Sequence, residues 1–182
     1  MVATGVGVLI AGTTMLLLLA SAKESRRGLA DAVVEQAASD LEHKLMRTLR
    51  VMSANEGIVF GSPSTNSSGT VVGYNSIIIA AGPSPDNPRQ QIAFDPASGS
   101  VTYKTNYASP NSMLVLAATN ANSTIRLLTF QPSVKPDGTP DNSLVNVLLQ
   151  VDDNGSAGRF GANRSNNPAV VWRSFAVKMR NN

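Results

Sequence analysis

Cysteine is absent from the chain, which excludes disulfide staples, thiolate metal sites and cysteine nucleophiles. Histidine occurs once, at His43, and tryptophan once, at Trp172. His43 stands on a helical stretch between Glu42 and Lys44 and reads as a solvated or interfacial side chain, so no catalytic dyad is built on it, and no His-containing metal signature is present. Neither a G-x-S-x-G elbow nor a glycine loop running into Lys-Ser/Thr is present, so the usual nucleophile and phosphate cradles are missing. Charge is sparse at 15% of residues, and the basic excess of fifteen over twelve is scattered. Nucleic-acid arms concentrate their lysines and arginines instead. These absences point away from an enzyme: no catalytic residue, metal ligand or cofactor-binding residue can be named, and no small-molecule substrate is expected.

The most informative scarcity is local. From Met1 to Ala22 there is no charged residue, and Lys23, Glu24, Arg26 and Arg27 then follow together. As a helix this stretch is roughly 33 Å long at about 1.5 Å per residue, which matches a hydrocarbon layer of about 30 Å. A helix apolar on all faces is too costly to leave in water and too long to hide in a core of this size. Ala20-Ser21-Ala22 also reads as a small-x-small cleavage site, so a signal peptide is the rival, although it lacks a basic lead-in. Ala3, Gly7 and Ala11 recur at every fourth position, the pattern that lets helix backbones approach closely in an apolar medium.

Beyond Gly28 the sequence LADAVVEQAASDLEHKLMRTLRVMSANEG contains no proline and is rich in good helix formers, with Asn55-Glu56-Gly57 as a stop. Leu29, Val33, Ala37, Leu41, Leu45 and Leu49 recur every four residues. Such a row gains about 40° per step and winds around the rod. Its upper part is therefore expected to pack on the chain's own sheet, through Val33, Ala37, Leu41, Leu45, Leu49 and Met52, while the lower part faces other subunits. Gly28 marks a point of local loosening.

After Gly57 the pattern changes to β-branched and aromatic runs broken by Gly, Pro, Asn and Ser. GIVFG, TVVGYNSIIIAAG, QQIAFDPASGSVTYKTN, SMLVLAATN, STIRLLTFQPSV, SLVNVLLQVDD and AVVWRSFAVKMR read as strands, with SPSTNSSG and GPSPDNPRQ as loops. Asp95-Pro96-Ala97-Ser98-Gly99, Lys135-Pro136-Asp137-Gly138 and Asp153-Asn154-Gly155 read as turns. The expectation is an α+β fold: a helix over 1–56, with 1–22 as membrane or filament-core part and 23–56 amphipathic, packed on one antiparallel sheet over 57–182. The last strand is expected inside the sheet.

Asp152-Asp153-Asn154-Gly155-Ser156 carries oxygen ligands but lacks calcium-loop spacing, so a hairpin turn is expected. Asn66, Asn122, Asn154 and Asn163 begin N-x-S/T triplets, expected by chance in so Asn- and Ser-rich a chain. Near the C-terminus Arg159, Arg164, Arg173, Lys178 and Arg180 cluster with Trp172 and Phe175. Strand alternation puts Arg173 and Phe175 on one face and Trp172 and Lys178 on the other, so nucleic-acid binding is not expected.

MVATGVGVLIAG, the long helix after it and the closing β-rich half together resemble the type IV pilin-like superfamily of pilins, minor pilins and pseudopilins. The segments IAFDPASGSVTY, VNVLLQVDD and SFAVKMRN look most like its larger minor pilins and pseudopilins near the filament tip. The resemblance implies a structural subunit held in the inner membrane by its helix and then extracted into a periplasmic or extracellular filament at the cell surface. Its partners would be copies of itself or other pilin-like subunits. The filament-core residues would be Ala3, Val6, Gly7, Leu9, Ile10, Ala11, Met15, Leu16, Leu17, Leu18 and Leu19. Family members start with a basic leader, a glycine cut site, an aromatic residue and a glutamate, none of which stands here. The expectation is that Met1 is an internal methionine, with that glutamate two positions upstream. As written, Lys23, Arg26 and Arg27 would hold the C-terminal flank in the cytoplasm, opposite to a pilin; an upstream basic leader would override this. The alternative is a secreted β-rich binding protein released by cleavage after Ala22.

Overall fold

A computed structural model of the chain describes residues 2–52, 57–79, 89–154 and 169–179; within these, the side chains of residues 2–11, 26, 27, 110 and 142 are not described. Among the described residues one α-helix is followed by ten strands, with a single 3-10 turn at Pro110–Ser112 between the sixth and the seventh. Helix α1 spans Val2–Val51, and strands β1 Ile58–Phe60, β2 Pro63–Thr65, β3 Val71–Tyr74 and β4 Ser76–Ile79 follow. Then come β5 Gln90–Asp95, β6 Ser100–Lys104, β7 Met113–Ala117, β8 Ser123–Val134, β9 Pro140–Asp153 and β10 Val170–Lys178. This is an α+β architecture.

The helix runs unbroken through Gly28, where an added Cβ would meet nothing within 4 Å. No proline interrupts it, and the exposed glycine lowers helix propensity without breaking the hydrogen-bond ladder. Of the expected stop, Gly57 has a left-handed φ of 103°, while Asn55 and Glu56 lie outside the described residues.

The strands form two five-stranded sheets instead of the single sheet expected, ordered β1-β4-β5-β6-β7 and β10-β9-β8-β3-β2. Every pairing is antiparallel. The split arises in one long hairpin. β1 and β2 run along β4 and β3, with Phe60 opposite Ile77 and Pro63 opposite Tyr74. Between them the ladder bends but stays bonded: the Gly61 N–H donates to the Ser76 carbonyl at 2.9 Å, and the Asn75 N–H to the Ser62 carbonyl at 2.9 Å. One half of the hairpin thus joins each sheet. Its tip lies in the segment expected to be a loop, where the Asn66 side-chain oxygen accepts the N–H of Ser68 and of Thr70.

At Gly73 a Cβ would stand 2.7 Å from the Thr129 Cβ, so only glycine lets β3 lie this close to its neighbour β8. Gly99 closes the β5–β6 turn at φ 62°, donating its N–H to the Asp95 carbonyl at 2.8 Å. Among the described residues the last strand, β10, is not enclosed: it stands at the end of its sheet, paired with β9.

The inner faces of both sheets and one side of α1 share a single core. Ile77, Ile92 and Val101 come from the first sheet; Leu128, Phe130, Val147 and Leu149 come from the second. Along β9, Val145, Val147, Leu149 and Val151 are buried at every second position, the period of a half-buried strand. Each such side chain contributes about 1.5–3 kcal/mol when fully removed from water.

Candidate assembly surface

The helix packs mainly on β9 and β10, with further contacts to β7 and β8. Its buried stripe is Ala30, Val34, Ala38, Leu41, Leu45, Leu49 and Met52. The steps are four, four, three, four, four and three residues, close to the helical repeat of about 3.6, so the stripe stays on one side of the rod. A strict every-fourth-residue row drifts off that side. Leu41, Leu45, Leu49 and Met52 lie in the core, whereas Ala37 is half-buried and Val33 is 40% exposed. Assignment of Val33 to the helix–sheet contact is therefore corrected: Val34 takes that place. Leu29, one step further back, is 62% exposed.

Polar contacts fasten the same half of the helix. Arg173, on the inner face of β10, donates through Nη2 to Glu35 Oε1, and its Nε lies 3.8 Å from Glu42 Oε2. Glu35 and Glu42 are seven residues apart and so share one side of the helix. Lys44 Nζ donates to the Leu116 carbonyl of β7 at 3.0 Å. These contacts were not anticipated. The available clue was the lone arginine among Val171, Phe175 and Val177 on an otherwise apolar strand face, a position that demands an acidic partner.

The other half of α1 is uncovered. Residues 12–25 are all exposed. Met15, Leu16, Leu17, Leu18 and Leu19 remain between 59% and 71% accessible. Consecutive helical residues are about 100° apart, so these five point in all directions. Ala20, Ser21 and Ser25 leave a shallow open dent beside Leu17 and Glu24, of the kind in which small residues let a neighbouring helix come close. Exposed Leu29 and Val33 carry apolar surface up to the border of the β-domain. The side chains of Ala3, Val6, Gly7, Leu9, Ile10 and Ala11 lie outside the described set. Among the described residues, no helix is long and apolar enough to cross a membrane.

Elsewhere the candidate chemical sites have ordinary structural roles. His43 is exposed on α1. Asp152 accepts from Arg126 Nε at 3.2 Å and from Gln150 Nε2 at 2.8 Å, and Asp153 is 7% exposed. Gly155 and Ser156 lie outside the described residues, as do Arg159, Asn163, Arg164 and Arg180. Among the described residues no group of three or more His, Asp or Glu side chains is placed to hold a metal. Three carboxyls are held below their ordinary value of 3.8 by local hydrogen bonds. The hydroxyl of Ser98 and the N–H of Ala97 act on Asp95; Thr139 acts on Asp137 and Ser143 on Asp141, each through hydroxyl and N–H. All three lie at the ends of strands or in turns, where such bonds fix the connections. No family model, no curated protein and no solved structure matches the chain.

Proposed function

We propose that the chain is a structural, non-enzymatic subunit of a type IV pilus-like or pseudopilus filament, anchored in the inner membrane before assembly and polymerised through its N-terminal helix. One observation carries this reading: a helix pinned firmly to a folded domain at one end presents leucines on every side at the other. A rod apolar all round needs an apolar medium or neighbours of its own kind. Exchanging lipid for protein around such a rod gains little from hydrophobicity, so association relies on close packing, which small residues favour. Identical subunits added head to tail without closing a ring give an open helical filament. The β-domain then coats the outside.

The test is electron microscopy of cells bearing the full reading frame, with antibody raised against residues 57–182, combined with intact mass of the purified chain. Labelled surface or periplasmic filaments containing chains that retain residues 1–22 are expected. A mature chain starting at Lys23 would instead identify the secreted binding protein. A full-length chain that stays monomeric without detergent would overturn the filament.

A further inference from the structure

The outward face of the second sheet carries an arrangement that assembly through α1 does not use. Trp172, the chain's only tryptophan, is 56% exposed on β10. The register sets it directly opposite Gln150 of β9, and Gln150 opposite Leu127 of β8. The neighbouring row sets Asp152 opposite Thr124. A bulge between Ile125 and Leu127 expels Arg126 from the ladder, and its Nε reaches Asp152 Oδ2 at 3.2 Å, while Gln150 Nε2 bonds Asp152 Oδ1 at 2.8 Å. Asp152 is the tucked-in member, with a side chain 13% exposed against 61% for Arg126. The hydroxyl oxygen of Thr124 is buried without a hydrogen-bond partner.

We infer that this patch is a saccharide-binding platform: Trp172 stacks against the apolar face of a neutral β-linked oligosaccharide, whose ring hydroxyls bond to Gln150, Asp152 and Arg126. An indole offers a large, rigid apolar plane at small entropic cost. A β-linked glucose unit, with its substituents equatorial, presents a flat C–H face to such a plane and a rim of hydroxyls at its edges. Directly opposed residues on adjacent strands have Cβ atoms about 4.5–5.5 Å apart, so Gln150 stands next to Trp172 on the same face. Its tie to Asp152 and Arg126 orients the polar atoms in advance, which lowers the cost of binding. Carboxylate and guanidinium cancel, which favours an uncharged ligand. The cation of this patch, Arg126, is already paired with Asp152, so a phosphate backbone would gain little of the counterion release that drives nucleic-acid binding. The inference is independent of whether α1 polymerises, because the patch lies on the outward face of the sheet.

The single tryptophan makes the test direct. The full chain, kept in an amine-oxide detergent that carries no sugar headgroup, is titrated with cellohexaose and with its N-acetylglucosamine counterpart while indole fluorescence is recorded. A saturable change in intensity and emission maximum with either saccharide is expected. In Trp172→Ala, followed by saturation transfer to the sugar protons, affinity falls about tenfold or more, the scale of a lost aromatic contact. Gln150→Ala lowers it about threefold to tenfold, the scale of one hydrogen bond, and Lys178→Ala leaves it unchanged. No saturable response to either saccharide overturns the inference. So does an unaltered affinity in Trp172→Ala, or a response to oligothymidylate alone, which would make the patch a nucleic-acid surface.

Discussion

From residue 30 to its end α1 buries one apolar side chain against the sheets at each turn, with Met52 just beyond it, and two acidic residues on the same stretch engage Arg173. From residue 12 to residue 25 the same helix buries none. Both halves have helical backbone, so propensity does not separate them. What differs is distribution. In the upper half the buried apolar residues keep to four-four-three steps and the charged ones lie off that stripe, which suits a one-sided contact. In the lower half leucines run consecutively, which suits a contact on all sides. One helix therefore holds two kinds of interface, the first satisfied within the chain and the second open.

Substitution should separate the halves most sharply. Leu45→Ala empties a fully buried position and should cost about 2–5 kcal/mol in chemical denaturation followed by circular dichroism. Leu17→Ala should stay within about 0.5 kcal/mol in the isolated subunit, since its site is exposed, yet reduce filament yield. Equal costs would abolish the distinction. A smaller effect is expected for Arg173→Met, which keeps the apolar stem but removes the charge that faces Glu35 and Glu42. The pair is partly exposed, so the loss should be about 1 kcal/mol or less. Faster amide exchange is expected over residues 30–42, and none of the increase should extend to residues 12–25.

The smallest effect is expected from acid. Asp95, Asp137 and Asp141 titrate lower in the folded chain than their ordinary 3.8. Their contribution is complete above that ordinary value and disappears as pH falls through the lower folded values. A slight drop in thermal midpoint below about pH 4 should follow, reported by the β-domain that contains all three. Asp137→Asn should reduce the drop, because an amide cannot titrate there.

Much of this layout is legible in the residues. The helix could be read because no proline interrupts it, and the β5–β6 hairpin because Asp95, Pro96 and Gly99 fit a turn. Two sheets could not be separated from one, since strand alternation says which side chains are buried but not which neighbour a strand chooses. The deciding features are the bend at Gly61 and Asn75 and the close approach at Gly73, and nothing in the neighbouring residues marks these positions out. The exchange of Val33 for Val34 depends on where the sheets lie along the rod, which every-fourth-residue counting ignores. Arg173 meets Glu35 from the opposite end of the chain, and Arg126 reaches Asp152 only because of the bulge. Both are long-range facts without a local signal.

The hairpin shared between β1–β2 and β3–β4 also has a mechanical meaning. Because one continuous ladder is stitched into both sheets, prying them apart would tear that seam at Gly61 and Asn75 before either sheet could peel away alone. A tug arriving along the rod and entering through β9 and β10 would thus be shared across the whole β-domain, as in a garment whose panels are cut from one cloth.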